Sequence, residues 1–138
     1  MTVDFNKYSR YFLTGLAIIL ICIGCSGLPD DHPVLNAIHG TVLLDGQPLP
    51  QATITILPEA GPPSGAITDA NGNYEVMHKS GKKGAVAGPA KVSIITSTID
   101  ENGELTLERL PGKYNTETTL SITVKEGNNS QDFILTSK

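Results

Sequence analysis

Between Ala37 and Leu135 the large apolar residues recur at every second position in short runs, and no segment sustains a helical period of 3.6. Ile38, Val42 and Leu44 alternate with His39, Thr41 and Leu43, and Ala52, Ile54 and Ile56 alternate with Thr53 and Thr55. Strand side chains point to opposite faces in turn, so this pattern predicts strands with one buried and one wet face. Turn residues end the runs: Asp45-Gly46, Pro58, Asn71-Gly72 and Gly127-Asn128. Seven runs result, carried by Ile38–Leu44, Ala52–Ile56, Ala66–Thr68, Tyr74–Val76, Lys91–Ser97, Leu120–Val124 and Phe133–Leu135. Such short strands at regular spacing predict an all-β fold, a seven-stranded antiparallel Greek-key β-sandwich. Asn71-Gly72 reads as the turn of a hairpin, because both residue types tolerate positive φ.

The first 37 residues follow another rule. Lys7 and Arg10 form a basic flank, Tyr11 to Gly24 is almost wholly apolar, and a small residue, Gly24, precedes Cys25. The apolar run is shorter than the ~20 residues a membrane-spanning helix needs, which favours a secretory signal over an uncleaved anchor. Ile21-Cys22-Ile23-Gly24-Cys25 resembles the lipobox of bacterial lipoproteins, with Cys22 where Leu, Val or Ile is usual. The resemblance implies cleavage after Gly24 and diacylation of Cys25 as the new N-terminus. Residues 1–24 are then a lipoprotein signal peptide. Residues 25–37 are the lipidated cysteine and a flexible tether containing Gly27, Pro29, Asp30, Asp31 and Pro33, and residues 38–138 are the folded domain. The expected place is the cell envelope, extracytoplasmic and membrane-anchored.

Both cysteines precede the folded domain, so it has no disulfide framework and no cysteine metal site. The chain carries a formal charge of −4, and the leader takes away two cations and one anion, leaving the domain more acidic still. That balance argues against nucleic acid, whose phosphates demand a basic stripe. Trp is absent, which weakens a carbohydrate-stacking platform.

Two connections are long. Met77 to Gly88 reads as a mobile loop in which Lys79, Lys82 and Lys83 form a possible binding site for anionic headgroups or acidic polymers. Asp100 to Thr118 holds an Asn102-Gly103 turn, with Leu105, Leu107 and Leu110 suggesting partial order.

Gly40-Thr41-Val42, Asp45-Gly46-Gln47-Pro48-Leu49, Ala52-Thr53-Ile54 and Pro58 resemble the opening of carboxypeptidase-regulatory-like domains. Thr68-Asp69-Ala70-Asn71-Gly72-Asn73-Tyr74 is similar to that family's second signature, an acidic residue, a glycine turn and an aromatic. Lys113-Tyr114-Asn115 and the ending Asp132-Phe133-Ile134-Leu135 are similar to small lipoproteins of the planctomycete type. The resemblance covers about residues 38–136 and implies a transthyretin-like (prealbumin-like) sandwich. One departure is Gly88-Pro89-Ala90-Lys91-Val92, where the family often has an aromatic before the strand. Tyr74 is expected to pack on the core, and Tyr114 to fasten a corner through its hydroxyl.

Catalytic and metal chemistry find little support. Asp69, Asn71, Asn73 and Glu75 alternate like the ligands of a calcium loop, but Ser80 stands where the bidentate glutamate would be. His32, His39 and His78 lack zinc-ligand spacing. Hydroxyisourate hydrolases of the transthyretin fold use two histidines, an arginine and a C-terminal Tyr-Arg-Gly-Ser; here His39 stands alone, Asn73 takes the place of the arginine, and the chain ends Leu135-Thr136-Ser137-Lys138. One histidine does not activate a water and also stabilise an oxyanion. The expected function is a non-catalytic structural or interaction module without cofactor. It is held at the membrane by its lipid and works on an envelope protein or polysaccharide. The alternatives are a small-molecule or glycan-binding domain using the long loops and a degenerate hydrolase.

Overall fold

The computed structural model describes residues 33–99 and 102–138. Strands dominate them, with a single turn of 3-10 helix at Gly112–Tyr114. The leader, Cys25 and most of the tether lie outside the described residues.

The longest strand, β1 (Leu35–Leu44), opens the domain, and Asp45 and Gly46, both at positive φ, fold β2 (Gln47–Pro48) back against it. β3 (Thr53–Pro58) and β4 (Ser64–Ile67) form a hairpin, followed by β5 (Asn73–Glu75), β6 (Met77–His78) and β7 (Ala85–Val86). β8 (Gly88–Ile95) crosses the molecule, and β9 (Thr98–Ile99) and β10 (Leu105–Thr106) make a small hairpin of their own. β11 (Ser121–Val124), β12 (Asn128–Ser130) and β13 (Phe133–Leu135) close the chain.

One sheet is antiparallel throughout, in the order β11-β8-β3-β4-β6. The other is built on β1, with β7, β5 and β2 antiparallel to it and β12 and β13 parallel to it. The expectation of an all-antiparallel arrangement is therefore corrected. The turn after β11 hands the chain from the first sheet to the second, so the last two strands arrive running alongside β1. β1 also begins at Leu35, so Leu35 to Ala37, assigned to the tether by sequence, take part in the sheet.

Alternation decides what is buried. Ile54, Ile56, Val92 and Ile94 from the first sheet meet Ile38, Val42, Val76 and Leu135 from the second, and each is at most 1 % exposed. Burying such a side chain contributes roughly 1.5–3 kcal/mol, so this single cluster is the main source of stability in a domain without disulfides. Thr53 and Thr55, on the other face of β3, stay half-buried.

Two connections differ from expectation. Asn71-Gly72 does not close a hairpin: β4 pairs with β3 and β6, whereas β5 pairs with β1. Gly72 alone takes positive φ, and the Asp69 carboxylate accepts the amides of Asn71 and Asn73 at 2.8 and 2.9 Å. That turn is a crossing between sheets, closed by Asp69. The segment after Met77 is not a loose loop either. The amides of His78 and Gly84 donate to the carbonyls of Lys82 and Val76, and Ala85 is fully buried against the core.

Candidate interaction surface

Glu108 organises the second long connection. Its carboxylate accepts the Thr96 hydroxyl at 2.6 Å, the Thr96 amide at 3.0 and 3.1 Å, and the amides of Arg109 and Leu110 at 2.9 Å each. The Thr96 hydroxyl in turn accepts the Arg109 amide at 2.8 Å. Partial burial alone would raise this carboxyl. The Thr96 hydroxyl and the amides of Leu110, Thr96 and Ser97 outweigh it and hold the pKa at about 2. One ionised side chain thus pins together the two ends of the segment between Thr96 and Glu108.

The β9–β10 hairpin stands on that clamp. An isolated two-stranded hairpin is marginally stable in water, so its base must be held. Leu105 lies directly across from Ile99, which puts both side chains on one face, and Leu107 continues the same alternation. These three residues are 60, 69 and 76 % exposed, so the hairpin and the residue just after it present three large apolar side chains to solvent. Sequence reading took Leu105 and Leu107 as signs of partial order. Leu110 alone turns inward and is buried with Tyr114.

Lys79, Lys82 and Lys83 lie at the turn between β6 and β7, all exposed. Lys83 bridges to the backbone of Met77, and its Nζ is 2.9 Å from Glu75 Oε2. Met77, bridged by Lys83, and Ile67 project from the outer face of the first sheet, and with Thr53, Gly65, Ala66 and Glu75 they line a shallow depression. Sequence reading missed this face. Its signal was Ile67, a large apolar residue between two positions, Ala66 and Thr68, that alternation turns inward.

The remaining candidates serve the fold. His39 is an exposed strand residue of β1, paired in register with Glu75 and Ser130. His78 is buried, its Nδ1 accepting the Ser80 amide at 3.2 Å and lying 2.8 Å from the Ser80 hydroxyl. Asp69 uses its oxygens on the crossing turn. Tyr114 is buried, and its hydroxyl accepts the Thr136 amide at 3.1 Å, which fastens the chain end after β13. Among the described residues no group of three His, Cys, Asp or Glu side chains converges as a metal site would, and no helix is long and apolar enough to cross a membrane. Cys25 and His32 lie outside the described residues.

No family model matches the chain, and no curated protein is similar to it. Solved structures are similar to it. A DUF3823 family protein from Bacteroides ovatus shares 17 % identity at a TM-score of 0.47, over 74 % of this chain and 44 % of that one. A DUF3823 family protein from Parabacteroides merdae shares 10 % at a TM-score of 0.46, over 75 % of this chain and 47 % of that one. A 9R-lipoxygenase from Cyanothece shares 19 % at a TM-score of 0.41, over 74 % of this chain and 16 % of that one. The chain spans less than half the length of each of these proteins.

Proposed function

We propose that this chain is a lipid-anchored cell-envelope β-sandwich that performs no catalysis and acts as an interaction module, docking through the β9–β10 hairpin. The observation that carries the reading is the exposure of Ile99, Leu105 and Leu107 on a hairpin whose base the Glu108 clamp holds. A monomer with no docking role has little reason to fix three large apolar side chains in water on a braced hairpin. The anchor rests on Cys25 and the leader around it, with each acyl CH₂ buried in the bilayer adding ~0.8 kcal/mol.

Two measurements test the two halves of the reading. Cys25→Ser should abolish labelling by a fatty-acid probe and release the protein from the membrane fraction, while Cys22→Ser should do neither. Loss of processing in Cys22→Ser alone would put the anchor on the wrong residue. For docking, the double change Leu105→Ser, Leu107→Ser should remove the chain's crosslinked products from intact envelopes without lowering its melting temperature. An unchanged crosslinking pattern in a folded variant would overturn the hairpin as the docking element.

A further inference from the structure

We infer that the sandwich binds an ordered water molecule between β4 and β6, where it accepts from His78 Nε2 and bonds to the Ser64 hydroxyl. This site depends neither on the lipid anchor nor on the hairpin.

Position is the first observation. Ser64 opens β4, His78 ends β6, and the two are directly opposite each other in the antiparallel pair. Side chains of such a pair leave the sheet on one face, with Cβ atoms about 4.5–5.5 Å apart. That face is the interior, since Ser64 is 3 % exposed and His78 6 %. Among the described residues neither Ser64 Oγ nor His78 Nε2 has a hydrogen-bond partner, so the two are not bonded to each other either. Buried polar atoms of folded proteins are paired with protein groups or with ordered water. Two orphans side by side therefore mark one shared site.

The chemistry of the two atoms selects the occupant. The Ser80 amide, which can only donate, donates to His78 Nδ1 at 3.2 Å, and the Ser80 hydroxyl lies 2.8 Å from the same nitrogen. Nδ1 is thus an acceptor, and the ring carries its proton on Nε2. Nε2–H needs an acceptor, while the Ser64 hydroxyl both donates and accepts. A water molecule accepts from the ring and makes either bond to the hydroxyl. An anion would accept from both, but it would place a charge beside Ile56, the fully buried neighbour of Ser64 in β3. The water also has a mechanical role. β6 meets β4 at only Met77 and His78, and a bridge from His78 to Ser64 adds a third tie directly beneath the turn that carries Lys79 and Lys82.

The test uses the full-length chain in mild detergent, labelled with ¹⁵N at histidine. The ring nitrogen shifts of His78 should place the proton on Nε2, and that proton should show a cross-peak to water with the sign of a long-lived bound molecule. Oxygen-17 relaxation dispersion counts such waters. Ser64→Val puts a methyl group in the water's place and should remove the cross-peak and lower the count by one, with circular dichroism checking the fold. The parent's own cross-peak decides if that variant does not fold. A proton on Nδ1, an Nε2 proton with no water cross-peak, or a count unchanged in folded Ser64→Val would each overturn the inference. So would an Nε2 proton shift that follows the chloride concentration, which would put an anion in the site instead.

Discussion

The Tyr74 hydroxyl donates to the Gln131 carbonyl at 2.5 Å, reaching past Gly40, its cross-strand neighbour in β1. Gln131 and Asp132 are where the chain leaves the parallel ladder between β12 and β13. The Gln131 amide donates to the His39 carbonyl, and the Asp132 carboxylate accepts the Thr41 amide at 2.8 Å in place of a backbone partner. Burial, and after it the Asp132 charge, push the Tyr74 phenol well above its ordinary pKa, so it remains a donor. Its ring stacks on Phe133 at 6.0 Å between centroids.

This arrangement leaves no room for a side chain at Gly40 of β1. A Cβ there would stand 1.9 Å from the Gln131 oxygen, a backbone atom with nowhere to go. Gly40→Ala should cost at least the ~1–3 kcal/mol typical of overpacking, because both parallel strands must shift. Tyr74→Phe keeps the ring stack and leaves the Gln131 carbonyl unpaired, for a loss of ~1–3 kcal/mol with no strand forced to shift. Thermal melts rank the two, and a Gly40→Ala protein as stable as the parent would show that β12 and β13 do not dock as described.

The crossing turn gives a second comparison. Gly72 and Gly46 both sit at positive φ, +75° and +80°. A Cβ on Gly72 would lie 2.5 Å from the Val42 carbonyl oxygen, while one on Gly46 meets nothing within 4 Å. Gly46→Ala should therefore cost only the left-handed strain of ~1–2 kcal/mol, and Gly72→Ala distinctly more. A β-branched residue worsens the clash, so Gly72→Val is the most damaging of the three. Equal melting temperatures for Gly46→Ala and Gly72→Ala would mean that the turn does not pack against β1.

What could be read from the chain alone follows from which residues face a core. Ile54 and Val92 announce their strands because burial is one-sided and alternation makes it visible. Tyr74 and Tyr114 were expected as core and corner residues from the signatures that contain them, not from alternation, and both are buried. β12 was not: Asn128, Asn129 and Ser130 have no apolar face, and their place is set by side-chain hydrogen bonds. Asn129 accepts the Lys125 amide and donates to the Ala37 carbonyl, and Asn36 accepts the Gly127 amide. Nor does periodicity reveal a hairpin whose Ile99 and Leu105 face water. Lys79, Lys82 and Lys83 were visible as a cluster, but the depression on the first sheet's outer face is assembled from residues of β3, β4, β5 and β6 that only the fold brings together.

Face assignment in β3 is testable directly. Ile54 is fully buried and Thr53 half-buried on the opposite face. Ile54→Ala should cost ~2–5 kcal/mol, as cavities in packed cores do. Thr53→Ala should stay within about 0.5 kcal/mol of the parent, like other surface changes. Chemical denaturation of the two variants decides it, and comparable losses would place the strand in the wrong register.

The Glu108 clamp predicts a pH dependence of definite sign. Unfolded, this carboxyl titrates near 4.5; folded, it is held at about 2. A group with a depressed folded-state pKa stabilises through its charged form, so its contribution is complete above the unfolded value and is lost as pH falls toward the folded one. Between about pH 4.5 and 2 the hairpin base should loosen, and the amides of Thr96, Arg109 and Leu110 should lose protection relative to their intrinsic exchange rates as the carboxylate stops accepting their hydrogen bonds. Glu108→Gln retains shape but no charge. It should show low protection at those amides at pH 7 and no further loss of protection on acidification. The side chain is exposed enough for solvent to screen it, so the effect should be local to the hairpin, with the core amides of Ile54 and Val92 unaffected in the same window. Protection at Thr96 that does not change with acid in the parent protein would mean that something other than the ionised Glu108 holds the hairpin in place.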